Sequence, residues 1–294
     1  MPPTPATRIM ALFCDFENVA LGVRDAKYSA FDIQKVLERL LLKGNIVVKK
    51  AYCDWERYKE FKSSMHEAAF ELIEIPHVRQ SGKNSADIRM VVDALDLCYT
   101  KAHVDAFVII SGDSDFSPLV SKLRENNKLV IGVGVKKSTS DLLIANCDEF
   151  IYYDDLVREI ESKKQRKAKQ AKQAKPKAAP AKSAKQASAK PGEAKPEEVK
   201  PPQEEDDEDK RQQALDWVLE TAEDLLEERG EEEKVWGSMI KQALKRRKPG
   251  FSEAYHGFRS FAALLEEAQA RKLLVLEFDE KSGGYIVKSL ARDD

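Results

Sequence analysis

The sequence has little with which to bind a soft metal or to cross-link itself. Its four cysteines, at 14, 53, 98 and 147, lie far apart and form no CxxC pair, and its four histidines add no ligand spacing. Neither a disulfide framework nor a zinc centre is expected from such a pattern. Each cysteine sits in an apolar segment, which predicts buried free thiols in a reducing cytosol. Long hydrophobic runs are also missing. The opening MPPTPATR lacks the apolar stretch of a signal peptide, and no segment nears the ~18–20 residues of a membrane span. The expectation is a soluble, cytoplasmic protein with no membrane contact. Excess charge of one sign is absent too: the net charge is −2 over 294 residues. That average conceals strong local asymmetry.

What is present divides into three segments. Residues 8–160 alternate short apolar runs with amphipathic stretches. IMALFC (9–14), IVVKKAY (46–52), FELIEI (70–75), AFVIIS (106–111), LVIGVGV (129–135) and EFIYY (149–153) read as strands. FDIQKVLERLL, ERYKEFKSSMHEA, ADIRMVVDALDLCY and FSPLVSKLREN carry helical spacing. Asn84 or Ser85 is placed to cap the third of these helices, and Ser138 with Asp141 resembles a capping box for a later one. The alternation predicts an α/β domain, a mainly parallel sheet with helices on both faces. Such sheets bind ligands in the crevice beyond the carboxyl ends of their strands.

Residues 161–210 offer no material for a core. KKQRKAKQAKQAKPKAAPAKSAKQASAK has many lysines, no acid and no large apolar side chain, and it gives way to the acidic EEVKPPQEEDDEDK. A disordered linker is expected here. It is a solvated tether or, in its basic half, an arm that tracks phosphates. From 211 to 290 a second domain follows. ALDWVLETAEDLLEERG reads as a helix ended by Gly230, and VWGSMIKQALKRRKPG as a second ended by Pro249-Gly250. FRSFAALLEEAQARK is a third, and KLLVLEFDEKSGGYIVKSL gives two strands around a Gly-Gly turn. Three helices and a hairpin suggest a small winged helix-turn-helix domain.

Chemistry gathers at strand ends. The apolar FVIISGDSDFSPLV (107–120) stops at Asp113 and Asp115, and Asp15 likewise follows IMALFC in the phrase CDFEN. In a doubly wound sheet both ends can face one crevice. Asp87 opens the helix ADIRMVVDALDLCY, and that first turn lies at the crevice if the helix starts on the carboxyl-end side of the sheet. Carboxylates held close repel one another, which raises some of their pKa values unless a cation intervenes. With oxygen donors only, that cation is Mg2+ or Mn2+. Such an ion can activate a water and neutralise charge developing on a phosphodiester. Plainer roles stay open: Asp15 and Asp113 as loop caps, Asp87 as a helix-dipole partner or a capping partner of Asn84. Asp93, Asp96 and Asp141 read as solvated or capping groups, and Asp54 as an outer contact at most.

FCDFENVA (13–20), KNSADIRMVVDAL (83–95) and VIISGDSDFSPLVSKLRENNKLVIGVG (108–134) resemble, in order and spacing, the NYN domain of the LabA-like group. The resemblance covers residues 8–156. It implies a PIN-like nuclease fold and a metal-dependent ribonuclease, with Asp15, Asp87, Asp113 and Asp115 as the acidic metal site. Asn18 and Ser111 match the asparagine of the first motif and the serine before GDSDF, and no acid of the pattern is missing. Residues 212–290, with GFRSF at 257–261, resemble the OST-HTH or LOTUS domain, which is associated with RNA, including G-rich and quadruplex RNA.

Together these readings describe an Mg2+- or Mn2+-dependent ribonuclease with a tethered RNA-binding module. Asp15, Asp87, Asp113 and Asp115 would hold one or two ions, and Asn18 and Ser111 would orient phosphate oxygens or water. Arg79 and Lys83 before the Asp87 helix, and Lys136 and Lys137 after LVIGVGV, would hold the backbone. In KRRKPGF, Lys245, Arg246, Arg247 and Lys248 stand beside Phe251 and Tyr255, a combination that grips phosphates and stacks bases. Phe258 and Phe261 read as core. A non-catalytic RNA-binding adaptor with a vestigial acidic site is the alternative. A phosphatase of the haloacid dehalogenase type fits less well, because Asp15-Phe16-Glu17 breaks its DxD pattern. Exclusion of DNA and homo-oligomerisation are left open by the sequence.

Overall fold

All six apolar runs of the first segment pair into one sheet. The computed structural model describes residues 8–75, 85–161, 202–230 and 233–290. The strands are β1 (Arg8–Asp15), β2 (Gly44–Cys53), β3 (Glu71–Glu74), β4 (Ala106–Ile110), β5 (Leu129–Gly134) and β6 (Glu149–Tyr152), in the order β3-β2-β1-β4-β5-β6. Every neighbouring pair is parallel, so the sheet is wholly and not just mainly so. Side chains alternate between its faces. Met10, Leu12 and Cys14 of β1 join Ala106, Val108 and Ile110 of β4 in one core. Ala11, Phe13, Phe107 and Ile109 join the other. A continuous apolar run is what a strand covered on both faces requires.

Helices α1 (Phe16–Asp25), α2 (Ile33–Lys43) and α3 (Lys59–Glu67) cover the first face, with α7 over 153–161. Helices α4 (Ser85–Thr100), α5 (Ser117–Glu125) and α6 (Asp141–Asn146) cover the second. The chain winds outward from β1 through β2 to β3, then returns along α4 to lay β4 beside β1. The winding therefore reverses between β1 and β4, and that switch point opens a crevice at their carboxyl ends.

Three local expectations change. Helix α1 has no counterpart among the helical stretches read from the sequence; Gly22 lowers its propensity. That glycine is needed, because a Cβ there would come within 2.3 Å of Ser138 Oγ. The cap of α6 is Ser140, whose Oγ accepts from Leu142 N–H at 3.2 Å, whereas Ser138 is turned toward the carbonyl of Val135. Asp93 is not solvated: its carboxylate accepts from Tyr52 Oη at 2.9 Å, Arg89 Nε at 3.0 Å and Lys50 Nζ at 3.3 Å, pinning α4 to β2. Asp96 and Asp141 are exposed. The four cysteines are free, three of them buried and Cys147 half-buried. Among the described residues no helix is long and apolar enough to cross a membrane.

Helix α8 spans Pro202–Arg229, so it starts inside the stretch expected to be linker. Proline suits a first helical position, where its missing N–H has no partner to lose. Most of the expected linker lies outside the described residues. Gly230 ends α8 with a φ of 72°, in the left-handed region that favours glycine. Helices α9 (Gly237–Arg247) and α10 (Phe261–Ala270) follow, with a small antiparallel sheet ordered β7-β9-β8 from Val235–Trp236, Gly284–Leu290 and Leu274–Asp279. This is the element order of a winged helix. Phe258 and Phe261 are core, as expected, but so is Phe251, which is therefore withdrawn from any base-stacking role.

The C-terminal domain rests on α2. Leu42 inserts into its apolar cluster. Arg246 donates to the carbonyls of Leu41 (2.7 Å) and Leu42 (3.0 Å), and Arg247 to that of Glu38. Leu41 and Leu42 belong to the last turn of α2, whose orphan acceptors and dipole both favour a cation, and Glu38 lies one turn earlier. Arg247 also pairs with Asp224 at 2.6 Å, and Glu228 takes Arg39 at 3.0 Å together with Lys43. The Arg247–Asp224 pair is nearly closed to solvent, so removing Arg247 takes away a charge-assisted contact together with its bonds to α2. Arg247→Ala is expected to cost about 2–3 kcal/mol and to lower the melting temperature by several degrees; an unchanged melt would contradict the docking.

Candidate active site

The first strand delivers Asp15 to the crevice, and the fourth runs into Ser111-Gly112-Asp113 beside it. Asp15 is only 8% exposed. Its Oδ2 accepts from Ser111 Oγ at 2.9 Å, and its Oδ1 accepts from Asn18 N–H at 3.4 Å, capping α1. Ser111 Oγ in turn accepts from Asp113 N–H at 3.2 Å, and Asp113 Oδ1 accepts from Asp115 N–H at 3.0 Å. Asn18 Oδ1 accepts from Gly112 N–H at 2.8 Å. That contact fixes the amide orientation, since an N–H can only donate to the oxygen. The Asn18 Nδ2 donors have no partner among the described residues. The capping roles foreseen for Asp15 and Asp113 are real, and they coexist with convergence instead of replacing it.

Electrostatics tie in the acid from α4. Burial, followed by the charge of Asp87 and more weakly that of Asp113, pushes the Asp15 carboxyl up to about 7, against hydrogen bonds from Ser111 and Asn18 that favour its anion. Burial and the charges of Asp113, Asp115 and Glu17 likewise raise Asp87. Asp87 and Asp113 are half-buried, and Asp115 is exposed at the rim. The charges of Asp87 and Asp113 thus reach Asp15, and those of Asp113, Asp115 and Glu17 reach Asp87; Glu17 is an acid that sequence reasoning did not count as a site residue. Its signal was available: it stands in the first turn after Asp15, in CDFEN. Arg57, just beyond β2, holds Glu17 at 3.1 Å and is a second omission. Asp54 makes a turn with Glu56 N–H.

The donor set suits a hard cation. It is made of carboxylates, the nearby Cys14 thiol is kept neutral by burial and the Asp15 charge, and mutual repulsion is what a divalent ion would relieve. Among the described residues no three such side chains are already closed into a cage.

Gly112 admits no substituent. A Cβ there would lie 2.3 Å from the carbonyl oxygen of Ser138 and 3.0 Å from Thr139 Cα, and Ser140 N–H donates to the Gly112 carbonyl at 2.9 Å. Both obstructions are backbone, which yields poorly. Gly112→Ala is expected to cost about 1–3 kcal/mol and to displace Asp113; retention of wild-type melting and activity would contradict this packing.

The remaining candidates are scattered. Ser111 is fully buried, and its hydroxyl bonds only Asp15 and Asp113 among the described residues. Lys136 and Lys137 are exposed beyond β5 at the same edge as the acids, and Lys136 Nζ lies 5.6 Å over the Tyr152 ring. Arg79 and Lys83 fall outside the described residues. In the C-terminal domain Arg246 and Arg247 face α2, while Lys245 and Lys248 are exposed. Lys248 Nζ stands 5.7 Å over the Trp217 ring. Tyr255 is 67% exposed under Lys210 Nζ at 5.7 Å.

Residues 9–156 match the family model of the NYN domain. Over 140 residues the chain is 28% identical to an uncharacterized protein of Methanocaldococcus jannaschii, an alignment covering 46% of this chain and 55% of that one. The chain thus spans little more than half the length of that relative. A solved structure of a protein of unknown function from Vibrio parahaemolyticus is similar at 28% identity, over 52% of this chain and 97% of the other, with a TM-score of 0.46.

Proposed function

This chain belongs to the NYN domain family, and from that premise we propose that it is a divalent-metal-dependent ribonuclease whose C-terminal domain, similar to OST-HTH domains, captures RNA. The observation that carries the reading is the placement of Asp15, buried at the end of β1 and joined through Ser111 Oγ to Asp113 at the end of β4, where burial and the charges of Asp87 and Asp113 raise its carboxyl. A core residue that served only as a cap would gain nothing from two neighbouring acids. Asp15, Asp87 and Asp113 would hold Mg2+ or Mn2+, with Asp115 at the rim. The ion, when bound, supplies charge neutralisation at the scissile phosphate and a water of lowered pKa. Asn18 presents its Nδ2 donors toward phosphate oxygens. Ser111 positions Asp15 and Asp113, and Lys136 and Lys137 hold the strand at the rim. The exposed Tyr255, Lys245 and Lys248 offer stacking and phosphate contacts on the second domain, and linkage of the domains raises the local RNA concentration at the crevice.

The direct experiment is incubation of end-labelled RNA with Mn2+ or Mg2+. Cleavage that requires the ion and stops in EDTA supports the enzyme. Retention of RNA without cleavage supports the second reading, an RNA-binding adaptor. A proton and an ion compete for Asp15. Below about pH 7 the carboxyl is largely protonated in the ion-free protein, so Mn2+ affinity measured by calorimetry should rise up to roughly tenfold from pH 6 to 7 and flatten above. Affinity flat from pH 5 to 8 would remove Asp15 from the site.

A further inference from the structure

At the amino-terminal edge of the sheet, opposite the acidic crevice, the two domains enclose a cleft of about 830 Å³. Its lining holds six cationic side chains, Arg8, Lys43, Arg124, Lys128, Arg229 and Arg246, and two carboxylates, Asp105 and Asp148. Three of the cations are answered by carboxylates: Arg124 by Asp148 at 2.9 Å, Arg229 by Glu233 at 2.6 Å, and Lys43 by Glu149 at 2.8 Å and by Glu228. The other three have no carboxylate partner among the described residues. Lys128 Nζ donates to the carbonyl of Val104 at 2.6 Å, and Arg246 to those of Leu41 and Leu42, contacts that orient a cation without cancelling it. Arg8 is exposed at the start of β1.

The register brings these groups together. Arg8 and Lys128 flank the start of β4, because Met10 and Leu129 both pair with Ala106. Their backbones are therefore about two strand spacings, roughly 10 Å, apart, well within the reach of two long side chains converging on one ligand. Asp105, which accepts from Ile9 N–H at 2.9 Å, opposes them with one negative charge. Two positive charges stay unanswered, and they face a concavity, where low-dielectric walls focus the field on an anion. Burial and the adjacent Arg247 disfavour the charge of Arg246, a cost that a bound anion would offset.

We propose that this junction cleft is a second nucleic-acid contact, which takes the phosphodiester backbone of a single RNA strand on Arg8, Lys128 and Arg246. Two phosphodiesters carry the charge that the cleft lacks. The proposal rests on the ribonuclease reading and extends it, because Arg8 opens β1 and Asp15 ends it. Cleft and crevice are therefore about 23 Å apart along that strand, and an RNA of several nucleotides can touch both. Since Arg246 belongs to the C-terminal domain and the other two cations to the first, the strand would bridge the domains.

The test uses the full-length protein in EDTA with a fluorescein-labelled 15-nucleotide oligouridylate, followed by anisotropy at several salt concentrations. The double variant Arg8→Gln/Lys128→Gln is expected to bind between tenfold and a hundredfold more weakly, at roughly tenfold per charged contact. Its plot of log affinity against log salt should be shallower by about 1.4, at ~0.7 for each single-strand phosphate contact. Arg8→Gln alone should show about half of both effects with an unchanged melt, which keeps the test readable if Lys128 supports the fold. Wild-type affinity and salt slope in both variants would overturn the cleft and leave the cleavage reading standing. Absence of RNA binding by the wild type would overturn both. If uridine monophosphate or inorganic phosphate at micromolar concentration displaced the Arg8-dependent binding, the cleft would be a mononucleotide or phosphate site and the strand proposal would fall.

Discussion

Asp15→Asn is expected to melt several degrees above the wild type at pH 8 in EDTA. The wild-type carboxyl titrates near 7 when folded and near 4 when unfolded. Between those values the folded state binds more protons than the unfolded one, so stability falls as pH rises through the window and stays reduced above it. A shift of that size corresponds to an upper limit of roughly 4 kcal/mol, about 2–4 kcal/mol in practice. Asparagine keeps the shape and removes the titration. Ser111 can reverse its hydroxyl, accepting where it now donates. The gain should shrink as pH falls and vanish below about pH 4, where both proteins are neutral at this position. Added Mn2+ should narrow the gap from the other side by stabilising only the wild type. Equal melting across pH 4–8 would mean that Asp15 is an ordinary carboxylate.

Asp113→Asn is expected to lower RNA cleavage roughly 10²–10³-fold while leaving RNA affinity unchanged or slightly improved. The substitution is mild structurally, because an asparagine oxygen can still accept from Asp115 N–H as Asp113 Oδ1 does now. What it removes is one negative charge facing Asp15 and Asp87. Loss of cleavage with retained binding assigns the charge to the chemical step. Parallel loss of both would point to a binding surface, and wild-type cleavage would take Asp113 out of the reaction. Opposite signs on stability and activity at one cluster are the pattern expected where repulsion is stored for function.

The sheet was legible because its strands are covered on both faces and read as unbroken apolar runs; β1, β4 and β5 each end within one or two residues of the expected place. The acids were legible for a related reason: a polar residue that interrupts such a run stands at a strand end by construction. Less could be read where one residue serves two purposes. Asp15, the candidate site acid, is also the cap of α1, which hid that helix. Contacts between domains leave no periodicity at all. Arg246 and Arg247 look like solvent-facing cations on paper, yet both lie on carbonyls of α2, Arg246 on the orphan acceptors of its last turn. Phe251 was misread in the same way, since a buried aromatic next to a basic cluster has the same sequence signature as an exposed one.

The docked position of the second domain bears on how RNA would reach the acids. It sits at the amino-terminal edge of the sheet, where Leu42 and the last turn of α2 hold it, while the carboxylates lie at the opposite edge. Under the proposed function, an RNA held by both would run along the first domain between them, past the junction cleft.

The most direct measurement is an electron paramagnetic resonance titration of Mn2+ at pH 8, with wild type beside Asp15→Asn/Asp113→Asn. Side chains distant in sequence but gathered at one switch point predict at least one tightly bound ion in the wild type and a loss of tenfold or more in affinity in the variant. The same Mn2+ stoichiometry and affinity in both proteins would contradict the account.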